Sequence, residues 1–190
     1  VDAAHSYGLG ILLDVVYNHM ANTALMEDIV PGYYFRTANG KFTSKSGCGN
    51  DVASTRAMAR RLIVESTSYW VKEYKVDGFR FDLMGLIDTE TMFKAYEECA
   101  KINKDTLFVG EGWSMYNGPS GTFGMEQKQV SKTDSISVFN DELRDAVKAG
   151  GFNEGGKGFI TGKTTAPSYL VSNILGIPKR NYKADDPGDS

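Results

Sequence analysis

Asp82 and Glu111 are the residues of this chain best suited to acid/base chemistry. Each stands at the end of a short apolar run: Val76-Asp-Gly-Phe-Arg-Phe-Asp82 and Thr106-Leu-Phe-Val-Gly-Glu-Gly-Trp113. A third run, Leu9-Gly-Ile-Leu-Leu-Asp-Val-Val-Tyr-Asn-His19, delivers Asp14 and His19. Two carboxyl groups flanking one glycosidic bond can divide its cleavage between them. One protonates the leaving oxygen, and the other attacks the sugar carbon or activates water. The plain structural alternative is that strand-end acids cap the helices that follow. Arg80 speaks for the chemical reading. It lies two residues before Asp82, so both side chains leave the strand on one face, and a guanidinium there can hold Asp82 ionised. Asp14 is placed to pair with Arg80, and His19 to hydrogen-bond a substrate hydroxyl. Trp113 could stack on a sugar ring or pack a rim.

The elements that must position these groups follow from the pattern. Short β-branched or aromatic runs bounded by glycine indicate buried parallel strands. Four are expected: Gly10 to Val16, Val76 to Asp82, Leu107 to Gly110 and Ser135 to Phe139. A first helix ends at Gly8, as a left-handed cap would require. Arg56 to Tyr74 is expected as a helix with Met58, Leu62, Ile63, Ser66, Tyr69 and Trp70 on its inner face. Asp88 should cap the next helix, whose inner face carries Met92, Phe93, Tyr96 and Cys99. Asp141 to Lys148 and Ala166 to Leu175 are further helices. Strand–helix alternation gives an α/β fold with a parallel sheet, and ligands in such folds sit at the C-terminal strand ends. Four strands make about half of a closed eight-stranded barrel, or else a small open sheet. Residues 20–55 form a connection too long for an ordinary βα loop, so a functional insertion is expected there, not an independent domain.

Composition narrows the function. The 190 residues are 41% apolar and 24% charged, ordinary for a globular domain. A net charge of -3 offers no basic stripe for nucleic acid. No apolar stretch is long enough to cross a membrane. Cys48 and Cys99 are expected to be free thiols. With two histidines and no cysteine ligand spacing, no His/Cys metal centre is expected. Gly162-Lys163-Thr164 is no phosphate loop, because Lys157 occupies the position where the motif needs glycine. The chain starts at Val1 inside a helix end, so it is expected to be a fragment. Compartment stays open, extracellular and cytoplasmic being equally compatible.

Asp14-Val-Val-Tyr-Asn-His19, Gly78-Phe-Arg-Phe-Asp82 and Gly110-Glu-Gly-Trp113 resemble, in order and spacing, the first three sequence signatures of the alpha-amylase superfamily, glycoside hydrolase family 13. Asp77-Gly-Phe-Arg-Phe-Asp-Leu-Met-Gly85, Gly49-Asn-Asp-Val-Ala53 and Val138-Phe-Asn-Asp-Glu-Leu-Arg-Asp145 resemble its type I pullulanase branch. The resemblance covers essentially the whole chain. It implies a partial (β/α)8 TIM barrel, strands three to six with their helices, and a retaining double displacement on α-1,6-glucosidic bonds. Asp82 would be the nucleophile and Glu111 the acid/base. Arg80, His19, Tyr17, Leu83 and Trp113 would bind substrate, with Asp14 and Asn18 in support. The partner would be an α-glucan. No cofactor is required; calcium near Asn18 occurs in some relatives. The third catalytic carboxylate of the family lies on the seventh strand, beyond Ser190, so the 190-residue piece alone is expected to be inactive. An isoamylase-like or α-1,4-acting relative, and a non-catalytic carbohydrate-binding relative, are the competing expectations.

Overall fold

The computed structural model describes residues 1–149, 156–163 and 170. The elements, in chain order, are α1 (Asp2–Ser6), β1 (Leu12–Val15), α2 (Ala24–Glu27), β2 (Thr37–Ala38), β3 (Lys41–Phe42), α3 (Ala57–Tyr74), β4 (Gly78–Phe81), α4 (Thr89–Ile102), β5 (Leu107–Gly110), β6 (Ile136–Val138) and α5 (Asp141–Lys148). Short 3-10 turns cover Met84–Leu86 and Gln127–Lys132. The chain divides into two compact units, the first ending at Val138. In the second, α5 is capped by the Asn140 side chain, which accepts from the Leu143 N–H at 2.9 Å. The helix expected over 166–175 lies, apart from residue 170, outside the described residues, as do most of the glycine-rich stretch and the acidic tail.

All four expected strands form, in one parallel sheet of order β1-β4-β5-β6. The register pairs Asp14 with Arg80 and Phe81 with Gly110. Strand alternation explains the two faces. Leu13, Val15, Phe79, Phe81, Phe108 and Ile136 belong to the core that the sheet shares with α3 and α4. The rings of Phe81 and Phe108 lie 4.9 Å apart, and Tyr96 of α4 meets Phe108 edge-on at 5.4 Å. Burying each such phenylalanine contributes about 1.5–3 kcal/mol. The alternate residues Asp14, Arg80 and Val109 share the opposite face, and Leu12 and Leu107 there are exposed.

Gly78 and Gly85 are needed for close approach. A Cβ on Gly78 would come within 2.0 Å of the Leu107 carbonyl oxygen, and one on Gly85 within 2.1 Å of the Trp113 carbonyl oxygen. The first glycine lets β4 lie against β5. The second lets the turn after β4 lie under the segment that follows Glu111.

Helix α3 bears out the expected face only in part. Its buried residues are Ala59, Ile63, Thr67 and Val71, while Met58, Leu62 and Tyr69 are exposed. Both sets recur at helical spacing. The buried stripe is made of small and β-branched side chains and faces α4, with Thr67 beside Cys99; it shares Ile63 with the expected set, and Trp70 of that set packs against the core. Helix α4 follows the expected pattern, with Asp88 accepting from the Thr91 N–H at 3.0 Å and Met92, Ala95 and Cys99 buried.

Residues 20–55 carry α2 and the β2–β3 hairpin, and their Phe35 and Val52 form a small apolar cluster with Ala59 of α3. Cys48 is exposed, Cys99 is buried, and both are free. No helix among the described residues is long and apolar enough to cross a membrane.

Candidate active site

Parallel pairing carries Asp82 and Glu111 to the same sheet edge. Just past the paired strands, the Asp82 N–H donates to the Val15 carbonyl at 3.0 Å and the Glu111 N–H to the Phe81 carbonyl at 3.1 Å. The backbone ladder therefore holds both residues at the C-terminal ends of β4 and β5.

Arg80 gathers the carboxylates. Its Nη1 lies 2.9 Å from Asp14 Oδ1 and 3.3 Å from Asp82 Oδ1, and its Nη2 lies 2.7 Å from Glu111 Oε1. One planar guanidinium thus spans acids from three adjacent strands, which a single ammonium could not do. The Arg80 side chain is 25% exposed, Asp82 27% and Glu111 19%, against 69% for Asp14. Asp14 is the open end of the cluster. Burial opposes the Arg80 charge, but hydrogen bonds and attraction from Asp14, Glu111 and Asp82 outweigh it and push its pKa up.

A second chain of contacts fixes Asp82. Buried Asn18 donates from Nδ2 to the Asp82 carbonyl at 2.8 Å and to Asp82 Oδ2 at 3.0 Å. Its amide oxygen lies 2.7 Å from His19 Nδ1. Asn18 orients both His19 and Asp82, and His19 keeps Nε2 as its other polar atom.

Leu83 contributes its backbone. It adopts a left-handed conformation, with φ of 40°, which is costly for a non-glycine residue. In that conformation its N–H donates to Glu111 Oε2 at 3.0 Å. The Gly85 N–H reaches the Glu111 carbonyl at 2.9 Å. Both oxygens of Glu111 are therefore engaged, one by Arg80 and one by Leu83.

One expected substrate contact has its hydroxyl engaged elsewhere. Tyr17 is not directed to the carboxylates. Its hydroxyl is 2.7 Å from Ser66 Oγ on α3, its ring packs against Phe81, and burial pushes its phenol pKa up. The alternation of β1 continues past Val15, which turns Tyr17 to the helix side while Asn18 faces the site. Trp113 is half-buried, with its carbonyl against Gly85.

Sequence reasoning missed a polar cluster beside the site. Arg36, 6% exposed, donates from Nη2 to the Leu86 carbonyl at 2.7 Å and from Nη1 to Asn117 Oδ1 at 2.6 Å. Its guanidinium lies 4.8 Å from the Tyr116 ring centre. Asn117 Nδ2 donates onward to Asp51 Oδ2 at 2.8 Å. The fully buried Asp51 also accepts from the Thr43 hydroxyl and from the Lys45 and Ser46 N–H groups. Burial alone would raise the Asp51 pKa, yet these donors hold it below the usual aspartate value. Asp51 belongs to a segment quoted for its resemblance, but nothing in the sequence says that Arg36 joins its network.

Among the described residues, no three His, Cys, Asp or Glu side chains converge as a metal site would require. Asn18 has its amide oxygen against His19 and its amide nitrogen on Asp82.

No protein-family model matches the chain. It is 39% identical over 192 aligned positions to Pullulanase A of Streptococcus pneumoniae, which covers 100% of this chain and 15% of that protein. A pullulanase of Bacillus subtilis is 37% identical over 93% of this chain and 25% of its own length. Among solved structures, the type I pullulanase of Bacillus subtilis complexed with maltose superposes with a TM-score of 0.88, at 37% identity, over 93% of this chain and 25% of that one. The product complex of a multi-modular glycogen-degrading pneumococcal virulence factor superposes with a TM-score of 0.87, at 38% identity, over 100% of this chain and 19% of that one. The chain thus spans a quarter or less of these proteins' length. It is pullulanase-like from end to end and corresponds to one segment of these longer enzymes.

Proposed function

We propose that this segment is the catalytic centre of a starch-debranching glycoside hydrolase that cleaves α-1,6-glucosidic bonds with retention, within a larger (β/α)8 barrel of the alpha-amylase superfamily. The observation that carries the proposal is the Arg80 fork, which joins Asp14, Asp82 and Glu111 at one strand-end edge. A helix-capping role explains none of these contacts. The sheet is parallel, its β1 and β6 edges are open within the first unit, and it would supply strands three to six of such a barrel.

In this reading the Asp82 carboxylate attacks the anomeric carbon as the glycosidic bond breaks. Glu111 gives its proton to the departing oxygen, and a glycosyl ester forms on Asp82. Water then enters. Glu111 takes its proton, the new oxygen bonds the anomeric carbon, and Asp82 leaves as carboxylate. Arg80 and Asn18 hold the Asp82 carboxylate aimed. Glu111 Oε1 exchanges Arg80 for the glycosidic oxygen, while Oε2 stays on the Leu83 N–H. His19 Nε2 is the group offered to a sugar hydroxyl, and the substrate is an α-glucan.

The test is product analysis with the full polypeptide that carries this segment. Maltotriose released from pullulan supports α-1,6 cleavage. Cleavage of only α-1,4 bonds moves the assignment to an α-1,4-acting relative, action on branched glucan but not pullulan to an isoamylase-like one, and binding without hydrolysis to a non-catalytic one.

A further inference from the structure

We infer that Arg36 is a positioning residue for Glu111, acting through the Leu86 carbonyl and the left-handed Leu83 N–H; the inference rests on the reading of Glu111 as acid/base.

The geometry is a chain of three held points. Arg36 Nη2 reaches the Leu86 carbonyl at 2.7 Å. The Leu86 N–H reaches the Leu83 carbonyl at 2.9 Å, closing the 3-10 turn Met84–Leu86. At the start of that turn the Leu83 N–H holds Glu111 Oε2 at 3.0 Å. The turn is buried throughout, and Gly85 leaves it no slack beneath Trp113. A left-handed leucine persists only where its surroundings over-determine it. Arg36 is one such constraint from outside the strand-end backbone.

The same guanidinium ties down the segment after Glu111. Nη1 holds Asn117 Oδ1 at 2.6 Å, and the ring of Tyr116 lies against the guanidinium. Arg36 therefore joins the connections after β1, β4 and β5. Its location favours positioning over simple packing. A buried cation is costly to place, its Nε finds no hydrogen-bond partner among the described residues, and its guanidinium reaches the Asp51 carboxylate through the Asn117 amide rather than by a direct hydrogen bond. An apolar side chain would fill the space without aligning the Leu86 carbonyl.

The distinguishing readout is the leaving group. Misplaced by a fraction of an ångström, Glu111 still permits departure of fluoride, which needs little protonation, but not of a sugar alkoxide. Variants Arg36→Met, Arg36→Lys and Asn117→Ala in the full polypeptide would be compared by kcat/KM on pullulan and on α-maltosyl fluoride. The pullulan value should fall roughly ten- to a hundredfold, since a small misplacement can cost that much, and the fluoride value should fall far less. Arg36→Lys should not rescue, because one ammonium cannot serve both the Leu86 carbonyl and Asn117. Equal losses on both substrates, or none, overturn the inference. If Arg36→Met does not fold, Asn117→Ala carries the same comparison with the same two outcomes. Absence of pullulan hydrolysis in the unsubstituted protein instead overturns the functional reading on which the inference stands.

Discussion

Arg80 Nη2 lies 2.7 Å from Glu111 Oε1, while the other arm of the same guanidinium lies 3.3 Å from Asp82 Oδ1. The two acids proposed for catalysis are thus tied through one cation rather than to each other. The relation follows from the strand register: Arg80 pairs with Val109, and the acids stand one residue beyond the paired Phe81 and Gly110.

Replacing Arg80 with lysine keeps the charge and loses the fork. One charge-assisted hydrogen bond is worth about 1.5–3 kcal/mol. A drop of roughly ten- to a hundredfold in kcat/KM on pullulan is therefore expected. Steady-state kinetics would check it, and unchanged kinetics would deny the fork a role.

Glu111→Gln removes the proton carrier and keeps the shape. General acid–base help contributes about 10²–10⁴-fold, so pullulan hydrolysis should fall by that order. Cleavage of α-maltosyl fluoride, judged by kcat/KM, should be affected least. A uniform loss on both substrates would argue that Glu111 is structural.

Gly85→Ala places a methyl group where the Trp113 carbonyl oxygen sits 2.1 Å away. Overpacking of this kind costs about 1–3 kcal/mol or more. The turn that presents Leu83 should shift, lowering both melting temperature and turnover. A variant with unaltered thermal unfolding would show that the contact is not tight.

Asp51 gives a pH prediction. Its folded pKa lies below the ordinary value, so its bonds contribute fully above the unfolded aspartate pKa, about 3.9. That contribution is lost as pH falls from there through the lowered folded value. Hydrogen exchange at the Lys45 and Ser46 amides, read by mass spectrometry, should be slower in the parent than in Asp51→Ala at neutral pH. The excess protection should disappear in that acidic window. Protection equal in the two at neutral pH would contradict the assignment.

The strands and the chemical pair were legible because period-2 alternation and glycine boundaries are local signals. Arg80 and Asp82 share a face by arithmetic alone, and Asp14 pairs with Arg80 as expected. What stayed hidden depended on long-range packing or backbone conformation. The Leu83 N–H donates to Glu111 only because leucine sits at positive φ, and no residue preference announces that. Arg36 is 81 positions from Asn117, and no local signal pairs them. Tyr17, next to Asn18, looked like a site residue, but strand alternation sent its hydroxyl to Ser66. The α3 face was legible only in part, because two stripes satisfy the helical period and packing against α4 buries the one of small side chains.

The central claim is that Asp82 forms a covalent bond to the sugar. Incubating the full polypeptide with 5-fluoro-α-maltosyl fluoride slows the hydrolysis of any glycosyl-enzyme. Proteolysis and mass spectrometry should then find one maltosyl-derived label, on Asp82 in the peptide spanning residues 81–94. A label on Glu111 or another residue, or turnover of the reagent with inversion and no label, would contradict the account.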